Sequence, residues 1–81
     1  MLNRNDEIYV IISDIEIFLE KNSIEYQSIA NQINIYPDNC NQITITIDKN
    51  IKINSENKKF NYNNTGIEPN FYKFLKNYLK I

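Results

Sequence analysis

Pro37-Asp38, followed eighteen residues later by Glu56-Asn57-Lys58, sets two carboxylates and a lysine in an order that suits metal-assisted hydrolysis. Two such acids can share a divalent ion that activates water, and a neighbouring ammonium steadies the attack. The arrangement works only if the second acid and the lysine stand on a rigid element beside the first acid. Here Glu56, Asn57 and Lys58 fall where the hydropathy pattern breaks into a turn, and an Asp after Pro is common turn chemistry.

The two segments have the literal form of the PD...ExK motif of metal-dependent nucleases, but 81 residues are too few for that fold. Surface turns account for both segments. Other chemistry is scarcer still. The chain has no His, which removes the commonest general base, proton shuttle and metal ligand at neutral pH. With Gly66 as the single glycine there is no phosphate-cradling loop. Cys40, the lone cysteine, sits in the polar run Asp38-Asn39-Cys40-Asn41. Its nearest charge is acidic, the opposite of the surroundings that activate a thiol, so an unreactive thiol at the rim of the fold is expected. Neither a disulfide nor a cysteine-based zinc site can form within the chain. No catalytic residue, cofactor or metal ligand is expected, and the chain reads as a non-enzyme.

Binding surfaces are easier to find. Ile8, Ile11, Ile12, Ile15, Phe18 and Leu19 recur at helical spacing and predict an amphipathic helix over residues 6–21. At about 100° per residue, Val10 and Ile17 lie on the opposite side of that helix from the Ile8/Ile15/Leu19 stripe. Two β-branched residues seven apart on an outer face, among Asp14, Glu16 and Glu20, form a candidate protein interface. The alternative is that neighbouring chain covers them, or that isolated exposed aliphatics carry no meaning. Spread around the helix's polar sides, Asp14, Glu16 and Glu20 read as a solvated face rather than as an acid/base pair.

The lysines supply a second candidate surface. Lys73, Lys76 and Lys80 fall at i, i+3 and i+7 of a C-terminal helix, while Lys49, Lys52, Lys58 and Lys59 cluster near strand turns. Together they are a candidate face for phosphates or an acidic partner. Arg is missing from this half of the chain, and Phe60 and Tyr62 follow core parity rather than standing out to stack on bases, which favours a solvated basic face. The charges are segregated: residues 1–48 carry eight acids against two basic residues, a net of −6, and residues 49–81 carry a net of +5. Such a dipole steers a partner onto one end of a molecule.

The elements behind these surfaces follow from the change of period. Asn3 or Asn5 can cap the first helix, Asp6 and Glu7 suit its positive end, and Lys21-Asn22 suits its close, with Asn tolerating a left-handed backbone. From Ile24 to Asn63 the period becomes two. Gln32–Tyr36 reads as a strand, Ile24–Gln27 as a short one, and the stretch Ser23–Asn31 stays open between strand and helical turn. Gln42–Ile47 alternates Ile with polar residues. Asp48-Lys49-Asn50 suits a three-residue hairpin loop with Asn50 left-handed. Ile51–Asn54 and, after a turn at Ser55–Lys58, Lys59–Asn63 complete a meander with Ile43, Ile45, Ile47, Ile51, Ile53, Phe60 and Tyr62 facing the core. Glu68-Pro69 opens a last helix on which Phe71, Phe74, Leu75, Tyr78 and Leu79 form the apolar stripe.

The expected fold is a single α+β domain over residues 1–81, of the order α-β(3 to 5)-α, with two helices packed on one face of an antiparallel meander. No run approaches the roughly 18 apolar residues of a membrane span, and the N-terminal residues do not read as a secretory signal, so a cytoplasmic location without membrane contact is expected. Heavy use of Asn, Ile, Lys and Tyr is the bias of an AT-rich coding sequence, as in a low-GC bacterium, its phages or mobile elements. The expected function is a protein-binding module, a stoichiometric inhibitor or adaptor of the anti-CRISPR or antitoxin-like kind, whose acidic half imitates nucleic acid. Its expected partner is a larger protein or protein–nucleic acid complex. A small nucleic-acid-binding domain using the C-terminal lysines is the second reading, and a homodimer through Val10/Ile17 or an exposed sheet edge is compatible with either.

Overall fold

The computed structural model describes residues 4–63 and 65–81. Helix α1 runs Arg4–Lys21 and helix α2 Pro69–Leu79. Between them lie β1 (Glu25–Ile29), β2 (Gln32–Tyr36), β3 (Ile43–Ile47), β4 (Ile51–Ile53), β5 (Lys58–Phe60), β6 (Tyr62–Asn63) and β7 (Gly66–Ile67). β1 to β5 form one sheet in chain order, every neighbour antiparallel, and β6 and β7 form a separate two-stranded hairpin. The α+β meander expected from the alternation is the fold observed, with five strands in the main sheet.

Alternation decides which face is wet. Ile33 pairs with Ile45 and Ile35 with Ile43, while Ile45 pairs with Ile53 and Ile47 with Ile51. These isoleucines are all buried, and with Phe60 they form the sheet's contribution to the core. α1 supplies Ile11, Ile12, Ile15 and Leu19; α2 supplies Phe71, Leu75 and Leu79. β-branched side chains suit such a layer because they are stiff at χ1 and lose little freedom on a pleated surface. Both helices cover this one face and leave the other open.

Helix ends follow local chemistry, with corrections to the sequence reading. Asn5 lies inside α1 rather than at its cap, and Asn3 lies outside the described residues. At the far end the left-handed residue is Ser23 (φ 57°), not Asn22. The Ile24 amide donates to the Leu19 carbonyl at 3.0 Å and the Ser23 amide to Glu20 at 3.2 Å. That six-to-one and five-to-two pattern satisfies the last carbonyls of the helix. Asn22 instead donates its side-chain amide to the Phe18 carbonyl at 2.8 Å. Pro69 opens α2, and Lys80 (φ 60°) closes it with its amide on the Lys76 carbonyl.

The open stretch Ser23–Asn31 resolves as β1 and a turn in which Ala30 has φ 54°. Asn31 anchors that turn to β3: its side-chain amide donates to the Ile47 carbonyl at 3.0 Å, and its carbonyl accepts the Ile47 amide at 2.9 Å. The loop Asp48–Asn50 has the expected three residues, but Asn50 is not left-handed; the loop closes with the Asp48 amide on the Asn50 carbonyl at 3.0 Å. Lys58 belongs to β5 rather than to the turn before it, whose left-handed residue is Asn57 (φ 52°).

The expected strand Lys59–Asn63 is broken at Asn61. There the backbone turns to Glu68: the Asn61 amide donates to the Glu68 carboxylate at 2.5 Å, and the Glu68 amide donates to the Asn61 carbonyl at 3.1 Å. Tyr62 therefore leaves the main sheet for the β6–β7 hairpin, half-buried, with its hydroxyl on the Asp48 carbonyl. Gly66 makes this hairpin possible, with φ 134°, a conformation that L side chains rarely adopt.

Candidate functional site

The outer surface of the helical layer is built by the two helices side by side. They run in the same direction: Phe18 of α1 meets Tyr72 of α2 with ring centroids 5.1 Å apart, and the C-terminal residues Leu79 and Ile81 line the same cleft as Asn22, Ser23 and Ile24. Between them lies an open groove of about 410 Å³ lined by Asp14, Ile17, Phe18, Lys21, Tyr72 and Lys76. Burial pushes the Tyr72 hydroxyl's pKa above its ordinary value, and the Asp14 carboxylate adds to the rise.

Val10 and Ile17 stand outward on α1, 46% and 52% exposed, Val10 bordering the β6–β7 hairpin at Asn63 and Gly66 and Ile17 the groove beside Phe18 and Tyr72. Tyr9, 67% exposed, stands on another side of the same helix, beside Ala30 and Asn31 of the β1–β2 turn, a position that the spacing of the aliphatic residues does not reveal. Asp14, Glu16 and Glu20 rim this face. The first leans toward the groove, and the other two lean toward the edge strand β1. The Ser28 hydroxyl donates to Glu16 at 2.6 Å. Burial and then the charges of Glu16 and Glu20 raise the pKa of Tyr26, which also shares a hydrogen bond with Glu20. The five residues Val10, Asp14, Glu16, Ile17 and Glu20 thus share one helix but form an apolar centre with acids on either flank.

The seven lysines do not share a face. Lys73, Lys76 and Lys80 are exposed on the outward side of α2, the side turned away from the buried Phe71/Leu75/Leu79 stripe. Lys52 and Lys59 are cross-strand partners on the opposite, open face of the sheet. Lys58 pairs in register with buried Ile53, and its ammonium lies 5.6 Å from the centre of the Phe74 ring. Lys49 is exposed in the β3–β4 loop. A single phosphate-binding surface from all seven is not what the fold builds.

The open sheet face is a second candidate, a layer of amides and hydroxyls. Thr44 donates to the Asn34 side chain at 2.8 Å, and Asn54 to the Thr46 hydroxyl at 3.4 Å. Tyr36 donates to Gln27 at 3.4 Å. Edge strand β1 adds Glu25 and the exposed Ile29 to this face.

Asp38 lies in the β2–β3 loop and Glu56 in the turn before β5, both exposed and neither on a core strand. Among the described residues no three His, Cys, Asp or Glu side chains come together as a metal site. Cys40 is half-buried at the rim of the core, its sulfur 3.2 Å from the Tyr78 carbonyl. None of the described helices is long and apolar enough to cross a membrane. The chain matches no protein-family model, and no curated protein or solved structure is significantly similar to it.

Proposed function

We propose that this domain is a non-enzymatic protein-binding module, a stoichiometric inhibitor or adaptor whose contacts are made by the outer face of α1 and by the open polar face of the sheet. The observation that carries the reading is the exposure of Val10 and Ile17 at the centre of an acid-flanked helix face. Large aliphatics held outward by a rigid helix are costly to hydrate, and burying them against a partner returns roughly 25 cal/mol per Å² of apolar surface. The AT-rich residue usage and small size fit a phage or mobile-element protein that blocks a larger host machine, in the manner of an anti-CRISPR or antitoxin-like inhibitor. Within that setting Asp14, Glu16 and Glu20 occupy a basic channel as nucleic acid would.

Affinity capture from a low-GC bacterial lysate, with and without nuclease, tests the reading. A stoichiometric protein retained after nuclease supports it; recovery of nucleic acid with nuclease-sensitive proteins alone contradicts it. Reversing the charges of Asp14, Glu16 and Glu20 weakens capture and flattens its salt dependence if the acids imitate nucleic acid, and unchanged capture removes that part of the proposal.

One observation favours a second reading. Lys52 and Lys59 face each other directly across β4 and β5 on the open face, and like charges so placed destabilise a sheet. An anion between them offsets that repulsion, so a phosphate-bearing partner such as nucleic acid is the alternative occupant of the sheet face. It predicts steep salt dependence of binding to DNA or RNA.

A further inference from the structure

β1 is an edge of the five-stranded sheet, and register shows which of its backbone groups are free. The Ile47 amide donates to the Asn31 carbonyl and the Asn54 amide to the Thr44 carbonyl, so Ile43, Ile45 and Ile47 bond toward β2 while Thr44 and Thr46 bond toward β4. Antiparallel ladders alternate these two directions from residue to residue. Carried on through β2, the alternation turns the backbone of Glu25, Gln27 and Ile29 toward β2. It leaves the amides and carbonyls of Tyr26 and Ser28 pointing out of the sheet.

The opposite edge is closed. β5 has three residues, and by the same alternation Lys59 and Asn61 point outward, but the Asn61 amide and carbonyl are both taken by Glu68. A lysine on a short edge strand also discourages pairing. β1 has five residues with neither Pro nor Lys, and all but Tyr26 are exposed.

Acids stand beside the open edge at a matching spacing. On the helical side of the sheet, Glu16 accepts the Ser28 hydroxyl at 2.6 Å, and Glu20 shares a hydrogen bond with Tyr26. A helix advances about 6 Å over four residues and a strand about 7 Å over two, so the two carboxylates keep step with the two residues whose backbone is free. Each carboxylate has acceptor sites beyond the one bond it makes. Among the described residues no ion pair neutralises Glu16, Glu20 or Glu25.

We propose that the β1 edge binds an extended basic segment of a partner protein as a sixth, antiparallel strand, whose Lys or Arg side chains opposite Tyr26 and Ser28 reach Glu20 and Glu16. The proposal rests on the reading of this domain as a protein-binding module and names the chemistry of one part of the partner. Backbone bonds to Tyr26 and Ser28 set the register, and the charge pairs select the sequence. On the open face the intervening residues of the added strand lie beside Glu25, Gln27 and the 54% exposed Ile29, which favours an apolar residue opposite Ile29. A second copy is the wrong occupant. β1 laid on its own copy brings Glu16 and Glu20 of both chains together on the helical side, where like charges repel.

The probe is a capped peptide, Val-Lys-Thr-Lys-Thr, whose order sets its valine opposite Ile29 and its lysines opposite Ser28 and Tyr26. In an NMR titration of the full chain, the Tyr26 and Ser28 amides should shift and become protected from exchange. Glu16→Lys/Glu20→Lys should weaken binding of this peptide about tenfold or more and bind Val-Glu-Thr-Glu-Thr instead. Ser28→Pro removes an outward amide without touching the β1–β2 ladder, so it should abolish binding while the rest of the spectrum stays unchanged. A wild type whose Tyr26 and Ser28 amides stay unmoved at millimolar peptide overturns the proposal. Equal affinity for the lysine and glutamate peptides does so too, as does protection of the same amides by self-association without peptide. Protein captured after nuclease by a chain that ignores the peptide overturns the edge assignment and leaves the binding-module reading standing; a peptide response in a chain that captures no protein does the reverse.

Discussion

The Phe18 ring lies 5.1 Å from that of Tyr72 at a tilt of 52°, and this contact joins the two helices at the floor of their groove. Tyr72 in turn meets Phe71 edge-on at 5.2 Å, so the contact continues into the core. Its hydroxyl titrates above the ordinary tyrosine value of 10.0, through burial first and the Asp14 charge second. A raised folded value means that the folded state holds its proton after the unfolded chain has lost it. Stability is therefore unaffected below about pH 10 and falls as pH rises through the interval between the unfolded and folded values. Tyr72→Phe should make the alkaline decline of stability shallower, measured by urea unfolding at increasing pH; an unchanged slope would refute this linkage.

Two left-handed residues carry side chains that the conformation penalises. Ser23 ends α1 at φ 57° and Ala30 turns β1 into β2 at φ 54°. Ala30→Gly should raise stability by about 0.5–1 kcal/mol, since the left-handed strain on Ala exceeds the extra entropy of unfolded Gly. Ser23→Gly should act in the same direction. Both appear as a higher denaturant midpoint with an unchanged slope.

Ile45 and Ile17 contrast the inner and outer faces. Ile45 is fully buried between β2 and β4, and Ile45→Ala should cost about 2–5 kcal/mol through lost burial and the cavity left behind. Ile17 is half-exposed, and Ile17→Asp should leave monomer stability within about 0.5 kcal/mol. Thermal unfolding of both at low concentration checks the pair.

On the open face, Lys59→Glu replaces a like-charge cross-strand pair with an attractive one. It should raise stability by about 0.2–1 kcal/mol at low salt and less at high salt. A loss of stability at every salt concentration would show that Lys59 has a structural role that the register does not explain.

Much of the fold was legible because the Ile alternation in residues 43–53 and the helical spacing of Ile8 to Leu19 each permit one orientation of the buried side. Less legible were the places where a backbone partner far along the chain decides. Asn61 ends β5 because Glu68 captures its amide, and no periodicity announces that. Ser23 rather than Asn22 takes the left-handed position because Ile24 must reach back to the Leu19 carbonyl and pack on the core. The outward placement of Val10 and Ile17 was readable from helical angle alone, whereas Tyr9 was not singled out. The division of the lysines between opposite faces required strand register, which sequence spacing does not provide.

The outer face of α1 as a protein interface is tested most directly by affinity capture after nuclease treatment, with the wild type and Ile17→Asp side by side. A protein retained by the wild type and depleted by the substitution, at unchanged fold stability, is the expected result. Equal retention by both chains, or retention of nucleic acid alone, would contradict it.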